Sequence, residues 1–329
     1  MRKDSGSLLI VALVSVSVLT TLVIALAFWM RSQIALANRN DLLREGRRSC
    51  YQGAQYGCFE RLVADTNSYD SLDEEWAEPY EKVSGDWIWR ISASGWLNGD
   101  DSDRKGLVDE ASRISINKAP LPLLAALLVQ CDLEETEAYK LAARIIDWRD
   151  EDEMGPDQKT PERLYHALPE SVWQPPNKDY RSIGELAAVP GMTPKIFQAI
   201  APYLTVHPVE RININTTSPT VIMAHFNAAG GRGHEAAEAL FNRLKAFRHD
   251  GKHFDSTDPG RMGRQLGPLT TDESLLLSVL STNISVRSDI FSGVIESVPA
   301  KGAATMARPP RASFTYDRTL NRFLHWVEE

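Results

Sequence analysis

The N-terminal part of this sequence has no charged residue between Ser7 and Met30. Folded as a helix, this stretch would be about 36 Å long, enough to cross a hydrocarbon core of about 30 Å. Arg2 and Lys3 precede it, which favours a cytoplasmic N-terminus and export of the chain that follows. Because the apolar run is long and no small-residue cleavage site follows it, the pattern argues against a discarded secretory signal peptide. The segment is predicted to be a transmembrane helix.

Cysteine is scarce, with only Cys50, Cys58 and Cys131 in the chain. Their spacing matches no zinc motif. On one straight helix Cys50 and Cys58 would lie about 12 Å apart, whereas a disulfide needs Cα atoms within about 7 Å. Gly53 and Gly57 could interrupt the helix and allow pairing in an oxidising compartment. The alternative is two small apolar side chains on the buried face of an unbroken helix.

Positive charge is outweighed by negative charge, and the net charge is −8. This balance argues against general affinity for nucleic-acid phosphates. His166, His207 and His225 are too scattered for a clear ligand set, and no Ser-His-Asp or Cys-His motif stands out. A metal-dependent hydrolase built on the acidic residues is the remaining enzyme alternative. We expect a protein that is not an enzyme.

Hydrophobic periodicity organises the rest of the chain. A helical stripe continues the first helix to about Thr66, and its members are Leu36, Leu43, Cys50, Ala54, Cys58 and Leu62. A loop is predicted at 65–79, and strands at 86–94, 107–117 and 211–216. Helices are predicted at 122–129, 134–148, 235–249 and 271–280, with a helix, Pro-Gly turn and helix at 181–206. Three alternating stretches after residue 284 indicate a C-terminal β region.

A weak repeat joins two parts of the chain. RISIN (113–117) and RININ (211–215) each precede a helical run. The last asparagine or a nearby hydroxyl is expected to cap each helix, with Ser218 and Pro219 forming the start of the second. The fold class is therefore predicted to be α+β, with a long N-terminal helix, an antiparallel sheet and a large inserted all-helical domain.

The longer motifs resemble one known family. Gly6, between the polar leader and the apolar helix, resembles the leader of type IV pilin-like proteins, which a peptidase cuts just after a glycine. Further along, the order of motifs resembles protein K of the general secretion pathway, a large minor pseudopilin of the type II secretion system: RISINKAP, AARIIDWRDEDE, TPERLY, SIGELAAVPGMTP, ERININTTSPTVI and RFLHWVEE. Thr160-Pro161-Glu162 departs from the usual Gly-Ala-Glu of that pattern. Cys50 and Cys58 are not part of it.

The resemblance implies a domain plan and a cellular role. Residues 1–6 would be a prepilin leader, 7–30 the transmembrane helix, 31–117 a pilin-like helix and first strands, 118–282 the inserted helical domain and 283–329 the last strands of a pilin-like sheet. Cleavage between Gly6 and Ser7 by prepilin peptidase would leave a retained, methylated helix. The protein would sit in the inner membrane, with its bulk in the periplasm.

The family is implied to act by assembly. The resemblance implies that the protein caps the tip of a short periplasmic filament, where it binds the minor pseudopilins I and J. This assembly would drive the export of folded proteins across the outer membrane. Further implied partners are the major pseudopilin and the inner-membrane assembly platform, and no nucleic acid is expected.

The missing acid of the apolar run is consistent with that role. Most pilins have a glutamate at the fifth mature position, thought to pair with the N-terminal amine of a neighbouring subunit. Counted from Ser7, the fifth residue is Val11. A lone buried carboxylate would cost several kcal/mol in the bilayer, so it is retained only where a partner exists. A tip subunit has no neighbour ahead of it, although ordinary membrane anchors also have valine at such positions.

An acidic stretch follows the predicted helix 134–148. Its members are Asp147, Asp150, Glu151, Asp152, Glu153 and Asp157, with Glu162 close behind. Calcium accepts six to eight oxygen ligands in flexible loops, and the resemblance also implies calcium in this domain. Our candidate ligands are Asp150, Asp152 and Glu162, with Asp147 held back as a cap or a partner of Arg144 or Arg149. The alternative is a solvated loop. Residues 98–103 superficially suggest a second calcium loop. They lack the glycine position and the distal glutamate of an EF-hand, so we do not expect a site there.

A second interpretation comes from ELAAVPGMTPKIFQAI with ININTTSP, which resemble helix-hairpin-helix units of DNA-binding and DNA-uptake proteins. Such hairpins present backbone N–H groups to phosphate, helped by lysines. Here the turn Pro190-Gly191-Met192 has only Lys195 nearby, so we expect a packing unit.

Overall fold

The N-terminal helix, α1 (Ser5–Cys58), is continuous and ends in one wider turn, Phe59–Val63. The computed structural model describes residues 5–93, 106–169, 172–231, 235–300 and 308–329, with side chains from Leu9 onward. Among these residues one helix is long and apolar enough to cross a membrane, with a mean hydropathy of 2.8 in a window of which no part is buried. The predicted continuation of the helix beyond the apolar run is confirmed.

The buried stripe of α1 is shorter than the sequence predicted. Leu36 is 50% exposed, and burial against the rest of the chain begins at Gly46. Cys50, Ala54 and Cys58 are buried as expected. The first two turns of the predicted stripe therefore lie outside the core of the protein.

Two glycines allow α1 to lie directly against the sheet. A Cβ atom at Gly53 would lie 2.5 Å from Cγ of Trp89, and one at Gly57 would lie 2.5 Å from Cδ1 of Ile91. Both glycines have helical neighbours on each side and do not interrupt α1, because their role is to admit these two side chains. The helix break that a disulfide would need is thus not found.

Cys50 and Cys58 are free, buried thiols. Burial raises the pKa of Cys50 to about 12 and also raises the pKa of Cys58. The Cys50 thiol donates to the carbonyl of Pro310 at 3.2 Å. Of the two alternatives from the sequence, the structure has the small apolar side chains on the buried face.

The sheet is antiparallel and six-stranded. Its main path runs in the order β1 (Tyr80–Ser84), β2 (Trp87–Ser92), β8 (Ile290–Pro299), β9 (Arg311–Asp317) and β10 (Arg322–Glu328). The short β3 (Val108–Asp109) also pairs with β8. The C-terminal β region is confirmed, whereas β1 was missed because it lies in a charged stretch without clear alternation.

The predicted strand 107–117 is wrong as a single element. It is β3, then a 3₁₀ turn at Glu110–Ser112, then β4 (Ile114–Ser115). Asp109 accepts a hydrogen bond from the backbone of Ala111 and so caps the turn. This turn breaks the extended chain, and the two short strands join different sheets.

The helical block packs around its own apolar core between Ile114 and Ile284. Its helices are α2 (Leu121–Gln130), α3 (Glu135–Asp147), α4 (Glu162–Tyr165), α5 (Pro194–Ile200), α6 (Pro219–Phe226), α7 (Glu235–His249), α8 (Pro259–Leu266) and α9 (Thr271–Ser281). The first helix predicted within 181–206 is instead a 3₁₀ turn, Ile183–Ala188, because the following Val189-Pro190 disfavours helical continuation. The short α8 was not predicted.

The two repeats are structurally equivalent. β4 pairs in parallel with β5 (Leu204–Thr205), and β6 (Ile212–Asn213) pairs in parallel with β7 (Ile284–Ser285). The last asparagine of each repeat, Asn117 or Asn215, lies between its strand and the following helix, α2 or α6.

The repeat asparagines do not cap these helices. Asn117 exchanges two hydrogen bonds with the backbone of Tyr180, and Asn215 does the same with Phe254. Ser218 caps α6 as predicted, accepting from the backbone of Val221 at 3.3 Å. The amides thus tie distant loops to the repeats.

A buried polar junction separates the helical block from the core between α1 and the sheet. Arg318 forms a two-pronged ion pair with Asp70 at 2.8 and 2.9 Å, and the backbone N–H of Ser288 donates to the same carboxylate at 2.6 Å. Asp70 is fully buried, so these donors replace its hydration.

Asp109 is the second carboxylate of the junction. Its Oδ2 accepts from Asn213 at 3.1 Å, from Thr216 at 2.5 Å and from Ser288 at 2.7 Å. Burial raises the pKa of Asp109 to about 6, although the hydrogen bonds from Thr216 and Ser288 act to lower this pKa. The ionised acceptor thus joins β3 of the sheet to β6 of the helical block.

The contact of α1 with the sheet gives the first prediction. We expect Gly53→Val to destabilise the folded chain by about 2 kcal/mol, because the new side chain overlaps the Trp89 indole. The indole cannot shift easily, since its N–H donates to Ser49 at 2.8 Å. Thermal melting of the full chain in detergent measures the effect. Gln52→Val, at the exposed neighbouring position, is the control, and equal losses in both variants would contradict the packing argument.

Candidate functional site

The N-terminal end of α1 holds the positions predicted for processing. Gly6 and Ser7 lie in its first turn, and residues 1–4 of the predicted leader lie outside the described residues. Val11 is exposed on the helix surface. The apolar surface of α1 is therefore available to lipid or to other helices.

The acidic stretch lies between α3 and α4. A short antiparallel bridge between Met154 and Pro161 closes this loop, and the backbone N–H of Glu162 donates to the carbonyl of Glu153 at 3.0 Å. This closure brings the start of α4 back to the end of α3. Glu162 therefore faces Asp150 although twelve positions separate them in the sequence.

The three predicted ligands form one group. Oxygen atoms of Asp150, Asp152 and Glu162 all lie within 4.8 Å of one another. Glu162 is only 3% exposed, Asp150 is half-buried and Asp152 is exposed. The group therefore opens to solvent on one side and has its deepest oxygen on α4.

The electrostatics of the group favour a cation. Burial and the neighbouring carboxylates raise the pKa of Asp150 to about 6 and that of Glu162 to about 7. No side-chain or backbone donor reaches Oδ1 of Asp150 or Oε1 of Glu162 among the described residues, although both atoms are buried. Buried carboxylate oxygens without a donor are costly, and a bound cation would offset that cost.

The remaining acids of the stretch are used elsewhere. Asp147 contacts His166, with 2.8 Å between Oδ2 and Nε2. The expected partners are wrong, because Arg144 donates to the carbonyl of Pro190 and Arg149 to that of Ala119. These arginines serve backbone groups across the core.

Asp157 is also unavailable to the group. It accepts from the backbone of Lys159 and Thr160 within its own turn, and these hydrogen bonds lower its pKa. Of the acids in the loop, only those aimed at the start of α4 form the candidate site.

Two residues of the site were missed from the sequence. Trp173 donates its indole N–H to Oε2 of Glu162 at 2.9 Å, and His166 lies one helical turn after Glu162. The spacing of Glu162 and His166 was a usable signal, because residues four apart share a helix face. Trp173 had no signal, since it reaches the site through a loop.

A second group of carboxylates contains Asp65, Asp70 and Glu74. Asp70 is neutralised by Arg318, and Glu74 accepts from the indole N–H of Trp76 at 2.9 Å. This group therefore serves the fold.

The Pro-Gly turn of the predicted hairpin is packed against α3. Gly191 has φ of +93°, and a Cβ atom there would lie 2.8 Å from Nη1 of Arg144. The same guanidinium donates to Pro190 at 3.2 Å. The turn thus contacts the chain's own arginine.

Comparison with known proteins finds similarity to one family. A family model described as type II secretion system (T2SS), protein K, matches residues 101–209. The type II secretion system protein K of Aeromonas hydrophila is 26% identical over 236 residues, covering 66% of this chain and 69% of that protein. The chain is therefore similar to type II secretion system protein K, over residues 101–209 by the family model and over 66% of its length by this relative.

A second relative and a solved structure are also similar to this chain. The protein of the same name from Pectobacterium carotovorum subsp. carotovorum is 23% identical over 226 residues, covering 66% of this chain and 67% of that protein. A chain in the crystal structure of the GspK-GspI-GspJ complex from enterotoxigenic Escherichia coli has a similar fold, with a TM-score of 0.63 and 16% identity. That match covers 90% of this chain and 99% of the other, and it confirms the predicted α+β fold class.

Proposed function

We propose that this chain is a minor pseudopilin that caps the tip of the type II secretion pseudopilus, assembled with minor pseudopilins I and J. The cap would support export of folded proteins across the outer membrane. The observation that carries the proposal is the apolar segment of α1, which has no acid between Leu9 and Met30. A subunit without a neighbour ahead of it has no amine for such an acid to meet.

The exposed surface of α1 supports partner binding. Ile34 and Leu36 lie beyond the charge-free segment, and these residues are 58% and 50% exposed. No described part of the chain covers this stretch, so these side chains are open to other helices. Similarity to type II secretion system protein K, together with the GspK-GspI-GspJ complex of a protein with a similar fold, supports I and J as the partners.

We further propose a single-pass inner-membrane location with a periplasmic bulk before assembly. The charge-free segment of α1 supports the anchor, and Arg2 and Lys3 before it support a cytoplasmic N-terminus. Prepilin peptidase, the major pseudopilin and the assembly platform are the further partners of this proposal.

Calcium is the proposed ligand of the acidic group. Three carboxylates at this separation supply hard oxygen ligands, and calcium tolerates irregular geometry in loops. Asp150 and Glu162 fit the ion because each has a buried oxygen that accepts no hydrogen bond. Asp152 would hold it from the solvent side. The ion would neutralise the repulsion between the start of α4 and the end of α3.

The partner proposal is tested by purification of the full chain with I and J. We expect one ternary complex in detergent, and we expect Leu36→Asp to weaken it at least tenfold, because a charge would enter the contact between helices. Gln33→Asp adds the same charge to the same exposed helix and is the control. A full chain that forms no complex with I and J, or equal effects of both variants, would contradict the proposal.

The processing proposal is tested at Gly6. Its replacement by a bulky residue is expected to block cleavage while membrane insertion persists, because the apolar segment is unchanged. The size of the membrane-bound protein on a gel measures this. Asn38→Leu, a bulky replacement at an exposed position of α1 far from the leader, is the control and should be cleaved normally. A mature-size band in the Gly6 variant would rule out this processing site.

The calcium proposal is tested by Glu162→Gln, whose effect on stability should change sign with the ion. In chelator at pH 8 the variant should melt higher than wild type, because it lacks a buried carboxylate whose pKa is raised from 4.5 to about 7. This advantage should disappear as the pH falls from about 7 towards 4.5, where both states of wild type become protonated. In saturating calcium the wild type should melt higher instead.

Glu153→Gln is the matched control for this experiment. Glu153 is exposed, lies in the same loop and is outside the group of three. Calcium should therefore raise the melting temperature of this variant as it does for wild type. An equal calcium response of wild type and Glu162→Gln would show that the ion does not bind at this group.

A further inference from the structure

The two carboxylate oxygens of Glu162 have different surroundings. Oε2 accepts the indole N–H of Trp173 at 2.9 Å, whereas Oε1 accepts no hydrogen bond among the described residues. The indole N–H of Trp173 is a hydrogen-bond donor only, so it can hold a carboxylate oxygen but cannot itself act as a ligand of a cation. The hydrogen bond therefore fixes the direction of the carboxylate and leaves Oε1 free.

A second contact keeps a further carboxylate out of the group. Asp147 is buried beside the site, and its Oδ2 lies 2.8 Å from Nε2 of His166. Asp147 is not among the three residues whose oxygens converge. Trp173 thus holds Glu162 in position, whereas His166 contacts Asp147, which lies outside the group.

Trp173 is itself held rigidly by rings. Its indole packs edge-on against Trp148, with 5.6 Å between the ring centroids, and lies 4.9 Å from His166. It is 6% exposed and belongs to the apolar core of the helical block. A rigid donor loses little conformational entropy when Glu162 is held in one rotamer.

We propose that Trp173 is a positioning residue for the cation site, holding Oε2 of Glu162 so that Oε1 points to Asp150 and Asp152. This inference rests on the calcium site proposed above. Groups that orient ligand carboxylates from behind commonly account for tenfold to hundredfold in metal affinity. Loss of the indole N–H is therefore expected to lower calcium affinity on the order of tenfold without removing any ligand.

The experiment compares Trp173→Phe with Trp148→Phe in the full chain in detergent. Both residues are buried in the same core and contact each other, but only Trp173 donates to a predicted ligand. Calcium affinity by titration calorimetry should fall about tenfold in Trp173→Phe and stay within about twofold of wild type in Trp148→Phe. Melting in chelator reports the loss of packing separately, and a packing role alone would move this temperature in both variants.

The possible failures are distinct. Unchanged affinity in Trp173→Phe, or equal loss in both variants, would overturn the positioning role and leave the calcium site intact. Absence of calcium binding by the wild-type chain would overturn the site and this inference together. If Trp173→Phe fails to fold, the wild-type protein decides the question: the indole N–H proton of Trp173 should stay protected from solvent exchange in NMR spectra when calcium binds, because its hydrogen bond to Glu162 persists. Loss of that protection on calcium binding would overturn the proposal.

Discussion

A buried carboxylate must meet donors or a cation, and the pair Asp109 and Glu110 applies this constraint where the two cores of the protein meet. Both residues are almost fully buried. Asp109 collects donors from the helical block and from Ser288, while Glu110 pairs with Arg113 at 3.1 Å and accepts from Ser292 on β8. Because truncating one partner would leave a buried charge unpaired, the relative position of the two parts is strongly specified.

The same constraint explains which elements could be predicted from the sequence. The charge-free segment, α2, α3, α7 and the C-terminal strands have a periodicity that the tertiary structure does not override. The stretch 107–117 also alternates, but its two consecutive acids are both buried and need partners on opposite sides. The chain turns at Glu110–Ser112 to provide them. Local pattern was therefore misleading where long-range polar pairing decides the backbone path.

The acidic group shows the corresponding division at the candidate site. Its three residues were predictable, because acids crowded near a helix end require neutralisation or solvent, and Glu162 is close enough in sequence to return to them. The partner of Asp147, the acid that lies outside this group, was not predictable from the sequence. Asp147 has arginines three positions before it and two after it, yet both guanidiniums satisfy backbone carbonyls that only the folded chain brings near. Trp173, which holds Glu162, likewise arrives through loop geometry.

The distribution of acids along the chain follows from how each carboxylate is satisfied. The apolar part of α1, which the proposed membrane would shield from water, has no acid in its sequence. At the junction the acids are buried with full sets of donors and with Arg113 or Arg318. At the α3–α4 loop one oxygen of Glu162 accepts a hydrogen bond from Trp173, and the other accepts none among the described residues. An incomplete donor set is costly for a purely structural carboxylate, whereas it is what a cation site requires. Asp109 and Glu162 are both buried, but both oxygens of Asp109 accept hydrogen bonds, whereas one oxygen of Glu162 accepts none among the described residues. This difference is the physical argument that separates a structural acid from a proposed ligand in this chain.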